Sequence, residues 1–279
     1  MSPINNFFTW LILPGRIIGV IIPATDLTSM TQNKSSELPN SCLVWPWRGV
    51  NNEKISLKEI IITRKFTLIY LGISYLLILL LGFASTRNCT ETWQLALYCK
   101  YSFWASNFTD APLIFIRNLF TYMFFHNSLV HIGFVTFGML LVVQAYEVRC
   151  GFKKTVFTFF LAYFLMGPVF AIINNIGIYL WPTSEFFGFV FERSWIGGSL
   201  GFYFVGGTLI FYGKRPFLHL CIPIGFEIFN HIVVGIDTQI TFIHLVSTLG
   251  GVLTKLLFDY MNKVLSAKPD SLKPRMNRT

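Results

Sequence analysis

Charge is what this chain of 279 residues has least of. Only 13% of it is Asp, Glu, Lys or Arg, and Asp and Glu together number 13. A soluble domain keeps itself dispersed with a charged surface, and a chain that is 53% hydrophobic with 30 Phe has no such surface. Histidine and cysteine are scarce as well, five of each. His126 and His131 stand close together, but no third ligand follows at a useful spacing, so a metal centre is not expected. No lysine follows "GGSLG" (Gly197–Gly201), which excludes a phosphate-binding loop. No internal repeat is visible, so a solenoid or tandem array is excluded too. A polytopic membrane protein is what these absences leave.

Long apolar runs are what the chain does have. They lie at Phe66–Phe83, Leu113–Val143, Val156–Leu180, Trp195–Tyr212, Phe217–Ile236 and Ile240–Tyr260. Each can cross a hydrocarbon core of roughly 30 Å as a helix of about 20 residues. Lipid offers the backbone no partners, so helices and not open strands are expected. The predicted fold is an all-α polytopic membrane protein, with a six-helix bundle over residues 66–262. A basic tail, residues 263–279, follows it.

Residues 1–65 form a separate N-terminal region. Its apolar stretch, residues 6–23, is interrupted by Pro14, Arg16 and Pro23. Two readings stay open, an interfacial segment or a seventh spanning helix. Asp26–Arg64 reads as an extramembrane linker, with "VWPWRG" at a membrane interface, where tryptophan is favoured.

The net charge is +9, and its distribution explains it. With the linker in the cytoplasm, the loops Glu147–Lys154 and Gly213–Pro216 and the tail fall on the same side. They carry Arg149, Lys153, Lys154, Lys214, Arg215 and the tail cations, whereas the opposite face has only Arg87, Lys100, Arg117 and Arg193. That is the positive-inside pattern. The charge is topological, and no nucleic-acid partner is called for.

The outer loop holds Cys89 and Cys99, together with candidate glycosylation sites at Asn88 and Asn107. The cysteines are either a disulfide of an oxidising compartment or two free thiols. Further sequons at Asn33 and Asn277 fall on the inner side. The secretory pathway or plasma membrane is the compartment this loop favours.

Ionisable and nucleophilic side chains inside a membrane are functional candidates by default. Ser199 and His244 each lie four residues into an apolar run entered from the outer face, about 6 Å deep at 1.5 Å per residue. A serine needs a base within reach to become a nucleophile, and a neutral imidazole is the usual one. Gly197, Gly198, Gly201, Gly206 and Gly207 surround the serine, and Gly250 and Gly251 follow the histidine. Small residues let two membrane helices approach closely. The plainer reading is a serine that serves that packing alone.

Taken together these residues resemble the rhomboid intramembrane serine proteases. The family's Gly-x-Ser-Gly motif is similar to Gly197-Gly198-Ser199-Leu200, with Tyr203 and Gly207 at the matching positions beyond it. The family's last-helix histidine with small residues three and seven positions on is similar to His244, Ser247 and Gly251. "HNSLVHIGFV" supplies His126 and His131 of its second-helix motif, and "EVRCG" supplies Glu147, Arg149 and Gly151 of its Glu-x-Arg-x-Gly turn.

The resemblance covers roughly Phe66 to Tyr260. It implies Ser199 as nucleophile, His244 as general base, and His131, Gly197 and Gly198 around the oxyanion. It gives His126, Tyr203, Gly207, Glu147, Arg149 and Gly251 structural roles. The implied substrates are single-pass transmembrane proteins, cut within the lipid bilayer near its outer face without a cofactor. An additional N-terminal helix would resemble the mitochondrial branch of the family, which keeps the mitochondrial inner membrane as the alternative compartment.

Three positions depart from the pattern. Leu200 replaces a glycine beside the serine, Val135 replaces the oxyanion asparagine, and Arg117 stands one position out of the outer-loop motif. They support the rival expectation, an inactive rhomboid-like protein that binds membrane clients for trafficking or degradation. A transporter would need paired charges at the midplane, and the apolar runs offer only Pro168 and Pro223 as irregularities. Glu227, mid-helix, has no assigned role and faces either the bundle interior or a water-filled cavity. His219 and His231 read as helix-end or bundle histidines.

Overall fold

The computed structural model describes residues 7–13, 16–22, 38–85, 89, 91–191, 193–235 and 237–266. They fall into two compact units, Met1–Leu38 and Pro39–Thr279.

In the first unit β1 (Phe7–Leu13) pairs antiparallel with β2 (Arg16–Ile22), in a register running from Phe7 opposite Ile22 to Leu13 opposite Arg16. The described residues of this stretch, 7–13 and 16–22, are therefore strands and not parts of a seventh spanning helix. Pro14 lacks the N–H that a continuous helix needs, and the β-branched residues of "RIIGVII" suit a pleated strand.

The second unit is helical. Its elements are α1 (Leu57–Thr63), α2 (Lys65–Leu81), α3 (Trp93–Tyr101), α4 (Asn107–Asp110), α5 (Pro112–Thr121) and α6 (Leu129–Gly138). A π turn carries α6 into α7 (Gln144–Cys150), followed by α8 (Phe152–Leu180), α9 (Glu185–Phe191) and α10 (Ser199–Leu209). α11 (Pro216–Phe229), ending in a second π turn, and α12 (Thr238–Ser266) complete it. Among the described residues three helical runs are long and apolar enough to cross a membrane: Leu129–Cys150, Phe152–Leu180 and Thr238–Val264. The α1–α2 pair, bent by 85°, makes a fourth when counted as one span. The chain thus has the character of a helical membrane protein.

Several expected boundaries move. Leu113–Val143 is not one helix: α5 ends in a 3-10 turn, the chain runs extended at Phe125, and Ser128 caps α6 by accepting from the His131 N–H at 3.1 Å. Residues 39–64, expected as part of an extramembrane linker, fall in the same compact unit as the helices. Helix α12 runs on to Ser266, into the stretch read as tail.

α10 is the central helix, and every residue from Leu200 to Leu209 is buried. A helix apolar all round belongs inside a bundle. Where α10 meets α12, a Cβ on Gly207 would lie 2.0 Å from the Thr248 carbonyl oxygen, and one on Gly251 would lie 1.9 Å from that of Phe204. Only glycine permits that contact. In hydrocarbon it is packing of this kind, more than expulsion of water, that holds helices together.

Glu147 and Arg149 fasten the end of α7. The Glu147 carboxylate accepts from the N–H groups of Phe66 and Thr67, at 2.7 and 3.0 Å, and from Thr67 Oγ1 at 3.0 Å, so it caps α2. Arg149 donates to the carbonyls of Cys42 and Ser41 at 3.0 and 3.2 Å. Arg64 donates to Gln144 Oε1 at 2.9 Å and to the Arg48 carbonyl at 2.5 Å. Burial pushes the Cys42 thiol up to about 11, against the pull of Arg149, which leaves it a packing group at neutral pH.

At the other end Cys89 and Cys99 are joined in a disulfide. Arg117 stacks on Tyr101, 4.6 Å from the ring centroid, and donates to the Lys100 carbonyl at 2.5 Å. It ties α5 to the loop.

Candidate active site

Ser199 is the first residue of α10, and Gly198 is its N-cap. The apolar run was expected to be helical from Trp195, with Ser199 four residues inside. Gly197 prevents this: its φ of +103° lies outside helical space and favours glycine. The segment before the serine is instead pinned to the outer loop. Trp195 and Phe103 exchange backbone hydrogen bonds of 2.7 and 3.1 Å, and the Gly197 N–H donates to the Tyr122 carbonyl at 2.9 Å. The serine therefore sits at a helix N-terminus on a rigid loop, where free amides favour negative charge.

His244 lies on α12, six residues beyond Thr238, about 9 Å along the helix. One turn later Ser247 Oγ donates to the Leu200 carbonyl at 2.7 Å. This bond and the Gly207–Gly251 contact fix the register of α12 against α10. Ser199 and His244 are brought to the walls of one cavity of about 500 Å³, without a hydrogen bond between them among the described residues. His131, Asn127, Asn230 and Arg193 line it as well. Arg193 lies 3.5 Å from Asp237, linking the loop before α10 to the start of α12.

His131 packs against the backbone of Gly197, where a Cβ would come within 2.5 Å of Nε2. Its Nδ1 lies 3.1 Å from Asn127 Oδ1. His126 is buried, stands edge-on to His131 at 5.0 Å between centroids, and accepts a hydrogen bond from the Ala84 N–H through its carbonyl. Its ring nitrogens meet no hydrogen-bond partner among the described residues. Gly198 faces Tyr70 and Val135: a Cβ there would lie 2.0 Å from the Tyr70 hydroxyl and 3.3 Å from Val135 Cγ1. Val135 is fully buried, so beneath the loop before Ser199 a hydrocarbon wall stands. Leu200 is buried among its neighbours, and its carbonyl still accepts the hydrogen bond from the Ser247 hydroxyl.

Glu227, without a role in the sequence, belongs to this site. It is wholly buried on α11. Its Oε1 lies 3.0 Å from His244 Nδ1, and its Oε2 accepts from the Tyr203 hydroxyl. The Tyr203 ring stacks on the imidazole at 4.3 Å and 17°. Phe134 stacks at 6.0 Å and 27°. A carboxylate in an apolar helix signals that a partner exists. It does not say which, because that partner lies on another helix.

No group of three His, Cys, Asp or Glu able to hold a metal occurs among the described residues. Asn107 opens α4, partly buried, and Asn88 lies outside the described residues, as do Asn33 and Asn277. No protein-family profile matches this chain, and no curated protein matches it.

Proposed function

We propose that this chain is an intramembrane serine protease of rhomboid type, a six-helix bundle that cuts single-pass transmembrane proteins near the outer face of the bilayer. The observation that carries the reading is the meeting of Ser199, at the start of α10, and His244, on α12, at one cavity. In this reading Nε2 of His244 takes the hydroxyl proton as Ser199 Oγ attacks a peptide carbonyl. The oxyanion forms beside the N–H of Ser199 and the ring of His131. His244 then returns the proton to the leaving amine, and a water entering the cavity hydrolyses the acyl-enzyme. Substrate helices unwind locally to offer the bond, since a helical carbonyl is already hydrogen-bonded. No cofactor takes part.

His131 stabilises an oxyanion only with a proton on Nε2. Asn127 supplies that state when its amide turns so that its N–H faces Nδ1. The oxidised Cys89–Cys99 pair favours the secretory pathway or plasma membrane over the mitochondrial inner membrane.

The second reading, a client-binding protein without activity, draws on Val135, whose side chain cannot donate to an oxyanion. The deciding experiment reconstitutes the chain in liposomes with transmembrane substrates and a fluorophosphonate probe. Cleavage and labelling by the wild type, both lost in Ser199→Ala and His244→Ala, are the expected result. A wild type inert to substrates and probe alike overturns the protease reading in favour of client binding.

A further inference from the structure

We infer that Glu227 positions His244, holding the imidazole with its proton on Nδ1 so that Nε2 is left bare to act as the base. Its catalytic consequence rests on the protease reading above; its structural half rests on geometry alone.

One carboxylate meets a donor and an imidazole. Oε2 accepts a hydrogen bond from the Tyr203 hydroxyl, and Oε1 lies 3.0 Å from His244 Nδ1, a close ion-pair contact that falls short of hydrogen-bond alignment. An ionised carboxylate is an acceptor only, so a group facing it stays there by bringing a proton. A histidine with its proton on Nε2 would turn a lone pair toward Oε1, which is repulsive. The Nδ1–H tautomer is the one that fits.

The ring is also prevented from turning. Tyr203 covers one face at 4.3 Å, and Phe134 stacks on it at 6.0 Å. Tyr203 thus acts twice, through its ring on the imidazole and through its hydroxyl on the carboxylate that orients the imidazole.

A purely structural tie between α11 and the pair α10–α12 would not require this residue. Glutamine has the same shape, bridges the same two groups and carries no charge into an apolar helix. What glutamate alone adds is the demand that both neighbours donate. Three elements converge on that demand: Glu227 from α11, Tyr203 from α10 and His244 from α12. Glu227 touches no reacting atom in this scheme; it acts through His244.

The test uses the full chain in nanodiscs, labelled with ¹⁵N-histidine, with the His244 signals assigned by their loss in His244→Asn. The expected spectrum has His244 as a single Nδ1–H tautomer in the wild type and as a mixture of both in Glu227→Gln. Fluorophosphonate labelling of Glu227→Gln slows by about 10⁴-fold, as when a serine protease loses its orienting carboxylate, and peptide cleavage loses kcat with KM little changed. Glu227→Asp keeps the tautomer and recovers part of the rate. If Glu227→Gln fails to fold, the wild-type tautomer together with Glu227→Asp decides.

A wild-type His244 protonated on Nε2 overturns the inference, and so does a tautomer indifferent to Glu227→Gln. A Glu227→Gln protein that labels as fast as the wild type overturns the positioning role. A Glu227-dependent tautomer in a protein that never labels sustains the positioning and removes the protease reading instead.

Discussion

The two ends of the α6–α7 run treat polar groups in opposite ways. His131 and Glu147 are 16 positions apart on it, roughly 24 Å at 1.5 Å per residue. At the Glu147 end most of the buried polar groups among the described residues are satisfied by protein, with His219 Nδ1, beside Gly213 and Cys42, as an exception. Glu147 caps α2, Arg64 meets Gln144, and Arg149 holds the carbonyls of Cys42 and Ser41. At the His131 end a cavity opens, and Asn230 Nδ2 and His244 Nδ1 on its walls keep no hydrogen-bond partner among the described residues, nor do the ring nitrogens of His126 beside His131. Buried polar groups are almost always paired, and a fully paired network rigidifies a fold. Unpaired groups around a cavity leave room for water or a ligand to supply what is missing. One end therefore reads as a fastening and the other as a place where chemistry can occur.

Four substitutions break or sharpen that contrast. The largest effect belongs to the cavity end. Ser199→Ala removes the nucleophile, and under the protease reading the rate falls by up to about 10⁶-fold with little change in unfolding. A labelling and cleavage assay, run beside a denaturant titration in detergent, separates the two quantities. Next comes Gly251→Ala between α10 and α12, where the added Cβ would meet the Phe204 carbonyl oxygen at 1.9 Å. A backbone cannot yield as a side-chain tip can, so the loss of stability should reach about 4 kcal/mol or more. The same titration measures it.

At the fastened end Glu147→Ala leaves the N–H groups of Phe66 and Thr67 without their acceptor. Each orphaned donor costs about 1–3 kcal/mol, so a loss of about 3 kcal/mol is expected. Probe labelling per folded molecule should stay at the wild-type level. A large fall in labelling at unchanged stability would erase the distinction between the two ends.

The smallest effect is expected from Val135→Asn. It sets a donor below Gly198, at the cost of a polar group in a buried apolar site. Losing an oxyanion donor in a known protease lowers the rate by ~10²–10³. Gaining one here should raise labelling by about tenfold and cost about 1–3 kcal/mol of stability. An unchanged rate in a folded variant would mean that the oxyanion does not form beside Gly198.

Much of this contrast could be read in the chain and some could not. The spacing of Glu147, Arg149 and Gly151 marked the turn, and the small residues around Ser199 and after His244 marked the close crossing of two helices. The start of α10 is not legible in hydropathy, because a window averages over Gly197 and Gly198 and cannot register a positive φ. The interruption between α5 and α6 was missed for the same reason: Asn127 and Ser128 are two polar residues in a long apolar stretch. Residues 6–23 were ambiguous because a short apolar run satisfies helix and strand alike.

Composition by itself determined the class of this protein, since so apolar and weakly charged a chain has few alternatives to membrane-type helices. Local sequence also named Ser199 and His244 as the groups to watch. Tertiary structure alone decided what stands next to them. Glu227 meets His244 across 17 positions and Tyr203 across 24, on separate helices, and Val135 lies under Gly198 from a fourth. Periodicity assigns a residue to a face of its own helix. Which face of another helix it meets depends on how glycine contacts such as Gly207 and Gly251 set the crossing, and that is a property of the packed bundle.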